Sequence, residues 1–348
     1  MKSLTIYLYV ITMLAAPLVL RSEVTPSPMF SNNMVLQRGV NTPVWGTADP
    51  GEEVVVNFAG QTKTAKADKN GKWKARVKAA KLAGTKLPNK PRAPVKSEAS
   101  GDQFIRRLGL VPPYAIRGVL WDQGEAGTNI AGVDQFTAMG ALIKGWRKIW
   151  GEDFPFIYVQ KPSGGGCAWD KSDPVTSQAS DFTTDLSQKI RGGSGKYREL
   201  HISIMQHPNT FMATSSDLGH FTHPSNKSGY GMRACRVALG AVYKKDIEIY
   251  GPIYDSHKIE GTTIRISYKH IGKGLAFKGG EKLQGFQLAG DDGVFNWADA
   301  KIDGNTVVLS CKKVAKPMVA RYAWAGRCPW ANLFNKDGLP ALAFETKK

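Results

Sequence analysis

The stretch that decides the fold class runs from residue 115 to residue 160. Residues 115–121 read AIRGVLW, a mostly apolar run of strand length, and residues 156–160 read FIYVQ, a second one. Between them, apolar residues and one glycine recur at helical spacing, at Phe136, Met139, Gly140, Ile143, Trp146 and Trp150. A strand, a helix and a strand in fewer than fifty residues form a βαβ unit. The stretch therefore predicts a parallel sheet with helices on its faces.

The pattern changes to short β-type runs on both sides of this unit. Residues 24–77 carry strands of about five residues separated by Asp, Pro, Asn and Gly turns, which predicts a small antiparallel sandwich. From residue 246 onward, strand-like runs again alternate with glycine-rich turns. The predicted domains are a signal peptide at 1–22, an N-terminal β-sandwich at 24–77, a basic proline-containing linker at 78–107, an α/β core at 108–245 and a C-terminal β domain at 246–348.

A later helix is predicted at the end of the α/β core, over about residues 228–242. Ser225 or Asn226 stands before it as a cap. One face of this helix carries Met232, Cys235, Leu239 and Val242.

The amino terminus has the profile of a signal peptide. An apolar run at residues 4–20 follows Lys2 and precedes Arg21. An uncleaved anchor is the alternative, because the run is about as long as the shortest membrane-spanning helices. We expect an exported protein, periplasmic or extracellular, with no stable membrane partner beyond an uncleaved leader. The 42% apolar and 22% charged composition excludes a mostly disordered, collagen-like or multi-span chain.

The formal net charge of +18 is high for a chain of 348 residues. Residues 78–107 contribute strongly to this positive charge. We interpret them as a solvated linker, and the alternative is that they contact a phosphate or a glycan. No base-reading motif accompanies the charge, so we expect no nucleic-acid partner.

The four cysteines form no CxxC pair and show no zinc-ligand spacing, so no structural metal is expected. The sequence also has no Walker loop and no GxGxxG motif, and no cofactor is expected. Two interpretations stay open for them: free buried thiols, or up to two bridges with Cys311–Cys328 as the preferred pair.

Candidate chemistry lies in the loop after Trp121, since ligands bind at the carboxyl ends of strands in open α/β sheets. This loop reads Asp122, Gln123, Gly124, Glu125. A glutamine amide can donate to a developing oxyanion, and a glutamate can orient a histidine or a sugar hydroxyl.

Residues 217–227 are the second candidate, because they contain two histidines just before the later helix. Histidine is suited to general-base work near neutral pH, and a nearby carboxylate can fix its tautomer. His220 has Asp217 three residues before it, whereas His223 is followed by Pro224 and Asn226. Both histidines remain candidates on this evidence.

Several motifs together resemble the sialate O-acetylesterase family of SGNH-type hydrolases. They are residues 29–37 (MFSNNMVLQ), 43–46 (PVWG), 118–121 (GVLW), 123–125 (QGE), 223–224 (HP) and 226–227 (NK). The resemblance implies an α/β core of flavodoxin-like topology with flanking all-β domains. It also implies hydrolysis of O-acetyl groups on sugars by a serine, a histidine base and oxyanion donors. By this resemblance His223, Gln123 and Glu125 are catalytic, and Gly124 and Asn226 contact the substrate.

The sequence departs from that family at the nucleophile. The Gly-Gln-Ser-Asn block of the family is missing, and the nearest string, Gly60-Gln61-Thr62, falls among sandwich strands. We therefore expect an incomplete parallel core, with Ser163 as one substitute hydroxyl. Loss of a triad nucleophile lowers turnover by about 10⁶. Three interpretations stay open: a carbohydrate O-acetylesterase, a non-catalytic glycan-binding relative and an internally deleted, inactive copy. The sequence leaves the sugar and the oligomeric state open.

Overall fold

The computed structural model describes residues 23–30, 34–37, 39–78, 104–125, 127–186, 192–219 and 225–346. The chain divides into two compact units, residues 1–115 and 116–348. The predicted signal peptide and residues 79–103 of the predicted basic linker lie outside the described residues. In the part of the chain that is described, no helix has the length and apolar character needed to cross a membrane.

The first unit is built from short antiparallel strands, as its sequence pattern predicts. The strands are β1 (Thr25–Pro26), β2 (Asn41–Thr47), β3 (Glu53–Phe58), β4 (Gln61–Lys66) and β5 (Lys72–Lys78). One sheet has the order β1-β2-β5, and β3 pairs with β4 as a hairpin. Ala59 and Gly60 form the hairpin turn with positive φ values of 47° and 76°, which matches the twist of the flanking strands. The string Gly60-Gln61-Thr62 is therefore part of this hairpin.

The second unit begins with the predicted βαβ pattern. Its α/β part contains β6 (Val119–Trp121), α1 (Gln135–Trp150), β7 (Phe156–Val159), α2 (Gly192–Ser203), β8 (Thr210–Ala213) and α3 (Lys227–Val237). The three strands are parallel in the order β6-β7-β8. All four residues of β7 are buried, as expected for a central strand covered on both faces. The parallel sheet is confirmed, whereas the flavodoxin-like SGNH topology stays a prediction.

The helix ends follow from local chemistry. Asp134 caps α1 by accepting a hydrogen bond from the Thr137 N–H at 2.8 Å, and Gly151 ends the helix in the left-handed region at φ 68°. Asn226, one of the two predicted caps, accepts from the Gly229 N–H at 2.9 Å at the start of α3. A π-helical turn, Ala238–Val242, continues α3 to the predicted end.

Of the apolar face predicted for α3, only Val242 packs against the core, where it is partly buried. Met232 is 57% exposed and Leu239 is 39% exposed. The side that packs on the sheet carries Tyr230, Arg233, Ala234 and Val237. The reason is electrostatic, because the buried Arg233 finds a carboxylate inside and a charged residue can then occupy the core face. Hydropathy alone assigns such an arginine to the surface.

Antiparallel strands make up the rest of the second unit. They are β9 (Ile253–Glu260), β10 (Thr263–Lys269), β11 (Leu275–Phe277), β12 (Phe286–Ala289), β13 (Asn296–Trp297), β14 (Asp299–Asp303), β15 (Thr306–Ser310), β16 (Val319–Tyr322), β17 (Leu333–Asn335) and β18 (Phe344–Glu345). They form sheets of order β14-β15-β10-β9, β13-β12-β16-β18 and β11-β17 around an apolar core that includes Phe286, Tyr322 and Trp330. These strands share one compact unit with the α/β part.

All four cysteines are free thiols in the structure. The preferred Cys311–Cys328 bridge is therefore not formed. Cys328 is buried and its Sγ donates to the carbonyls of Ala323 and Ala325, both at 3.2 Å, whereas Cys311 is only partly buried at the edge of the same core.

Candidate active site at the carboxyl edge of the parallel sheet

The loops after β6 and β7 bring one lysine together with two carboxylates. Parallel pairing of Trp121 with Tyr158 sets these loops side by side. Lys161 is only 1% exposed, and its Nζ lies 2.6 Å from Asp122 Oδ1 and 2.6 Å from Glu125 Oε1. A buried ammonium needs such partners because an unpaired charge in the interior is strongly unfavourable. The cluster has a net charge of −1 when all three groups are ionised.

Glu125 is held as a carboxylate by its surroundings. Burial by itself opposes its ionisation, but the hydrogen bond and charge of Lys161 and the backbone N–H groups of Glu125 and Gly124 outweigh burial and lower its pKa. The Gly124 N–H donates to Glu125 Oε2 at 3.0 Å. The carboxylate is therefore oriented from two sides, by the lysine and by its own loop.

His201 on α2 lies against the same loop, and the sequence analysis did not select it. The ring is 1% exposed, and its Nδ1 accepts a hydrogen bond from the Lys161 N–H at 3.2 Å. Burial and the positive charges of Lys161 and Arg198 outweigh the charge of Glu125 and lower the pKa of His201 to about 3. The imidazole is therefore neutral at neutral pH, and because Nδ1 accepts, the proton resides on Nε2.

The Nε2 proton of His201 faces the glycine of the loop. A Cβ built on Gly124 would lie 3.7 Å from His201 Nε2 and 3.1 Å from Gln135 Nε2, and Gly124 has φ 134°. The backbone conformation favours glycine here, and a larger residue would also require the Gln135 amide to shift by a few tenths of an ångström. Nε2 is buried and has no hydrogen-bond partner among the described residues. Tyr197, one turn before His201 on α2, also holds the loop by donating its hydroxyl hydrogen to the Gly124 carbonyl.

Gln123 and Asp217, two of the predicted site residues, have different surroundings. Gln123 is exposed, and its backbone carbonyl accepts a hydrogen bond from the Trp121 indole N–H at 3.2 Å. Asp217 is fully buried, and its two oxygens accept from Arg233 at 2.9 and 3.1 Å. Both carboxylate oxygens of Asp217 are thus engaged by the guanidinium of α3.

Ser163, which the sequence offers as a substitute hydroxyl, and the Asn226 amide already have hydrogen-bond partners, as does the neighbouring Ser215. The Ser163 hydroxyl is buried and donates to the Gln160 carbonyl at 3.1 Å, and the Ser215 hydroxyl donates to the same oxygen at 2.7 Å. Asn226, besides capping α3, donates its side-chain amide to the Val175 carbonyl at 2.9 Å. These contacts give Asn226 a clear structural role.

The two histidines proposed from sequence, His220 and His223, lie in residues 220–224, outside the described residues. Their assignment as base stays a prediction. Among the residues that are described, no three His, Cys, Asp or Glu side chains are grouped closely enough to hold a metal ion. What the described edge offers is an exposed amide, an oriented carboxylate and a neutral histidine.

The fold is similar to that of a carbohydrate acetylesterase from Xanthomonas citri. The two superpose with a TM-score of 0.72 over 94% of this chain and 100% of that chain, at 22% sequence identity. No family model matches this sequence, and no curated protein matches it. The chain therefore has a carbohydrate esterase-like fold.

Proposed function

We propose that the protein is a carbohydrate O-acetylesterase-like hydrolase that acts on O-acetylated sugars at the carboxyl edge of β6–β8. The observation that carries the proposal is the Gln123-Gly124-Glu125 loop, which follows β6 in a fold similar to that of a carbohydrate acetylesterase. The exposed Gln123 amide is available to the carbonyl oxygen of an acetyl group, and Glu125 is fixed beside it by Lys161. His223 serves as the base in this proposal.

Sialate esters are the first substrates to test within this class. A sialic acid carries a carboxylate, and a chain of net charge +18 attracts anionic sugars by long-range electrostatics. The substrate edge itself has an exposed amide rather than a charged group at Gln123, so neutral acetylated sugars are the natural comparison.

A second function, binding of acetylated glycans without hydrolysis, is favoured by the serine contacts. Ser163 and Ser215 both donate their hydroxyl hydrogens to Gln160, and a nucleophilic serine would instead donate to a histidine base. A protein that keeps the Gln123 loop but has no nucleophilic hydroxyl would still bind a sugar at this surface and would not hydrolyse it.

Acetate release by the purified full chain separates the two functions. Substrates are an O-acetylated sialic acid, an acetylated neutral oligosaccharide and p-nitrophenyl acetate. If the protein is an esterase, His223→Ala lowers the rate at least tenfold, whereas His257→Ala, which removes a histidine of β9, leaves it unchanged. Saturable binding of the acetylated sugar with no His223-dependent release supports the binding function. Absence of both binding and release overturns both proposals.

A further inference from the structure

One face of β5 carries a row of four cations. Lys72, Lys74, Arg76 and Lys78 are exposed, whereas the three residues between them, Trp73, Ala75 and Val77, are buried. Because side chains alternate along a strand, the four charged groups point to one side, spaced about 7 Å apart over about 20 Å. These four residues are called the β5 basic row below.

The neighbouring strand does not neutralise this row. The register of β2 against β5 places Thr47, Trp45, Pro43 and Asn41 opposite the four cations. None of these is acidic, and among the described residues no member of the row forms a salt bridge. Asp68 lies near one end, where its charge interacts with Lys72 alone among the four and its Oδ1 accepts hydrogen bonds from the backbone N–H groups of Asn70 and Lys72. Repulsion between like charges is therefore left largely uncompensated along the strand.

The row also lies at the start of the most positively charged part of the sequence. Residues 72–107 contain eleven Lys and Arg residues and two acidic ones, Glu98 and Asp102. This stretch accounts for half of the net charge of +18. The β5 basic row thus begins the part of the sequence in which positive charge is most concentrated.

We propose that the β5 basic row binds an anionic polysaccharide that carries carboxylate or sulfate groups along its chain. A row of cations along an extended strand fits an extended polymer. Single-stranded nucleic acids are held by several aromatic side chains with free ring faces, whereas Trp45, beside the row, is packed edge-on against Phe30 at a ring-centroid distance of 4.6 Å, and Phe30 also contacts Tyr114. No exposed apolar side chain lies between the cations to enter a bilayer. The choice of carbohydrate over other polyanions rests in part on the proposed function.

The test measures retention of the full chain on immobilised polygalacturonate, which carries carboxylates, and on heparin, which carries sulfates, as NaCl is raised. The variant combines Lys72→Gln, Lys74→Gln, Arg76→Gln and Lys78→Gln. A matched control removes the same charge from exposed positions of the second unit, through Lys245→Gln, Lys312→Gln, Lys313→Gln and Lys316→Gln. Thermal melting of both variants checks folding, and Lys74→Gln alone provides a milder change.

The row variant is expected to lose at least tenfold in affinity and to reduce the salt dependence of binding by about two to four units of log K per log[salt]. The control is expected to lose less than threefold. Equal losses in the two variants would show that net charge, and not the row, is responsible, and would overturn the proposal. Tighter binding to single-stranded DNA or to anionic lipid vesicles than to either polysaccharide would also overturn it.

The outcome is independent of the proposed hydrolysis. The row variant keeps the wild-type rate of acetate release from p-nitrophenyl acetate, because that small substrate does not span the row. A chain that binds polygalacturonate but releases no acetate retains this inference and loses the esterase assignment.

Discussion

Two groups of cations in this protein differ in their exposure to solvent and in their need for counter-charges. Lys161 is 1% exposed and has a carboxylate oxygen on each side at 2.6 Å, whereas the β5 basic row is exposed and has no salt bridge among the described residues. Water solvates the row, so its members need no partners. The protein interior offers no such solvation to Lys161, so the fold has to provide the counter-charge.

The difference also decides how each group responds to salt. The spacing of about 7 Å along β5 is close to the Debye length of about 8 Å at physiological ionic strength, so mobile ions screen the row effectively. The Lys161 contacts are shorter and partly shielded from solvent, so salt weakens them less. The buried cluster is therefore expected to govern stability, and the row to govern association.

The largest effect is expected from Lys161→Met, which keeps the length of the side chain but removes its charge. Asp122 and Glu125 then face each other without a cation, but both are partly exposed and solvated by water, so the free energy of unfolding should fall by about 1–3 kcal/mol. Urea denaturation at neutral pH measures the change.

The control adds Asp122→Asn and Glu125→Gln to Lys161→Met, which removes the whole charge cluster. Most of the lost stability should return, since replacing all partners of a buried ion cluster is far less damaging than removing one. A triple variant no more stable than Lys161→Met alone would show that packing, and not charge, sets the effect.

At neutral pH a smaller effect is expected from His201→Asn, which keeps an acceptor for the Lys161 N–H but does not titrate. The pKa of His201 falls from 6.5 to about 3 on folding, so between these values the unfolded chain binds a proton that the folded chain does not. Stability is therefore lost as pH falls through this window, by up to about 1.4 kcal/mol per pH unit.

Denaturation of the wild type and of His201→Asn at several pH values between 7 and about 4 checks this slope. The variant should be less sensitive to pH, with His257→Asn on β9 as the matched loss of one histidine. The lowered pKa of Glu125 adds a further loss of stability as the pH falls below 4.5. Parallel curves for the wild type and His201→Asn would contradict the burial of a neutral imidazole.

The smallest effect is expected from Lys74→Gln in the β5 basic row. Removing one exposed cation should change the free energy of unfolding by less than about 0.5 kcal/mol. The direction is a slight gain at low salt, because repulsion from the adjacent Lys72 and Arg76 is relieved, and the gain should vanish at high salt. A loss of stability as large as that of Lys161→Met would contradict the distinction between the buried Lys161 and the exposed β5 basic row.

Local structure was largely predictable where it depends on near neighbours in the chain. The helical spacing from Phe136 to Trp150 predicted α1, and Asn226 was one of two caps expected for α3. The packed face of α3 was not predictable in this way, because the buried Arg233 is explained by Asp217, sixteen residues earlier in the chain. The Cys311–Cys328 pairing, preferred because both residues fall in the C-terminal β domain, was wrong, since contact with the same core does not bring two thiols together.

The candidate site was only partly predictable. The loop from Asp122 to Glu125 was selected because it follows an apolar strand, and the structure places it at the carboxyl edge of the parallel sheet. Lys161 also follows such a strand, and a charged residue in that position is a usable signal. His201 gave no comparable signal, since it lies within a helix whose sequence has no clear apolar stripe.

The amino-acid sequence by itself determined the periodicities, the concentration of positive charge between residues 72 and 107, and the placement of the Gln123 loop after a strand. These features depend on residues a few positions apart. Only the tertiary structure decided that Lys161 is neutralised by residues 36 and 39 positions earlier, and that Arg233 turns inward to Asp217. The physical reason is that a charge can be buried only where folding brings its partner, and the partner can come from any part of the chain.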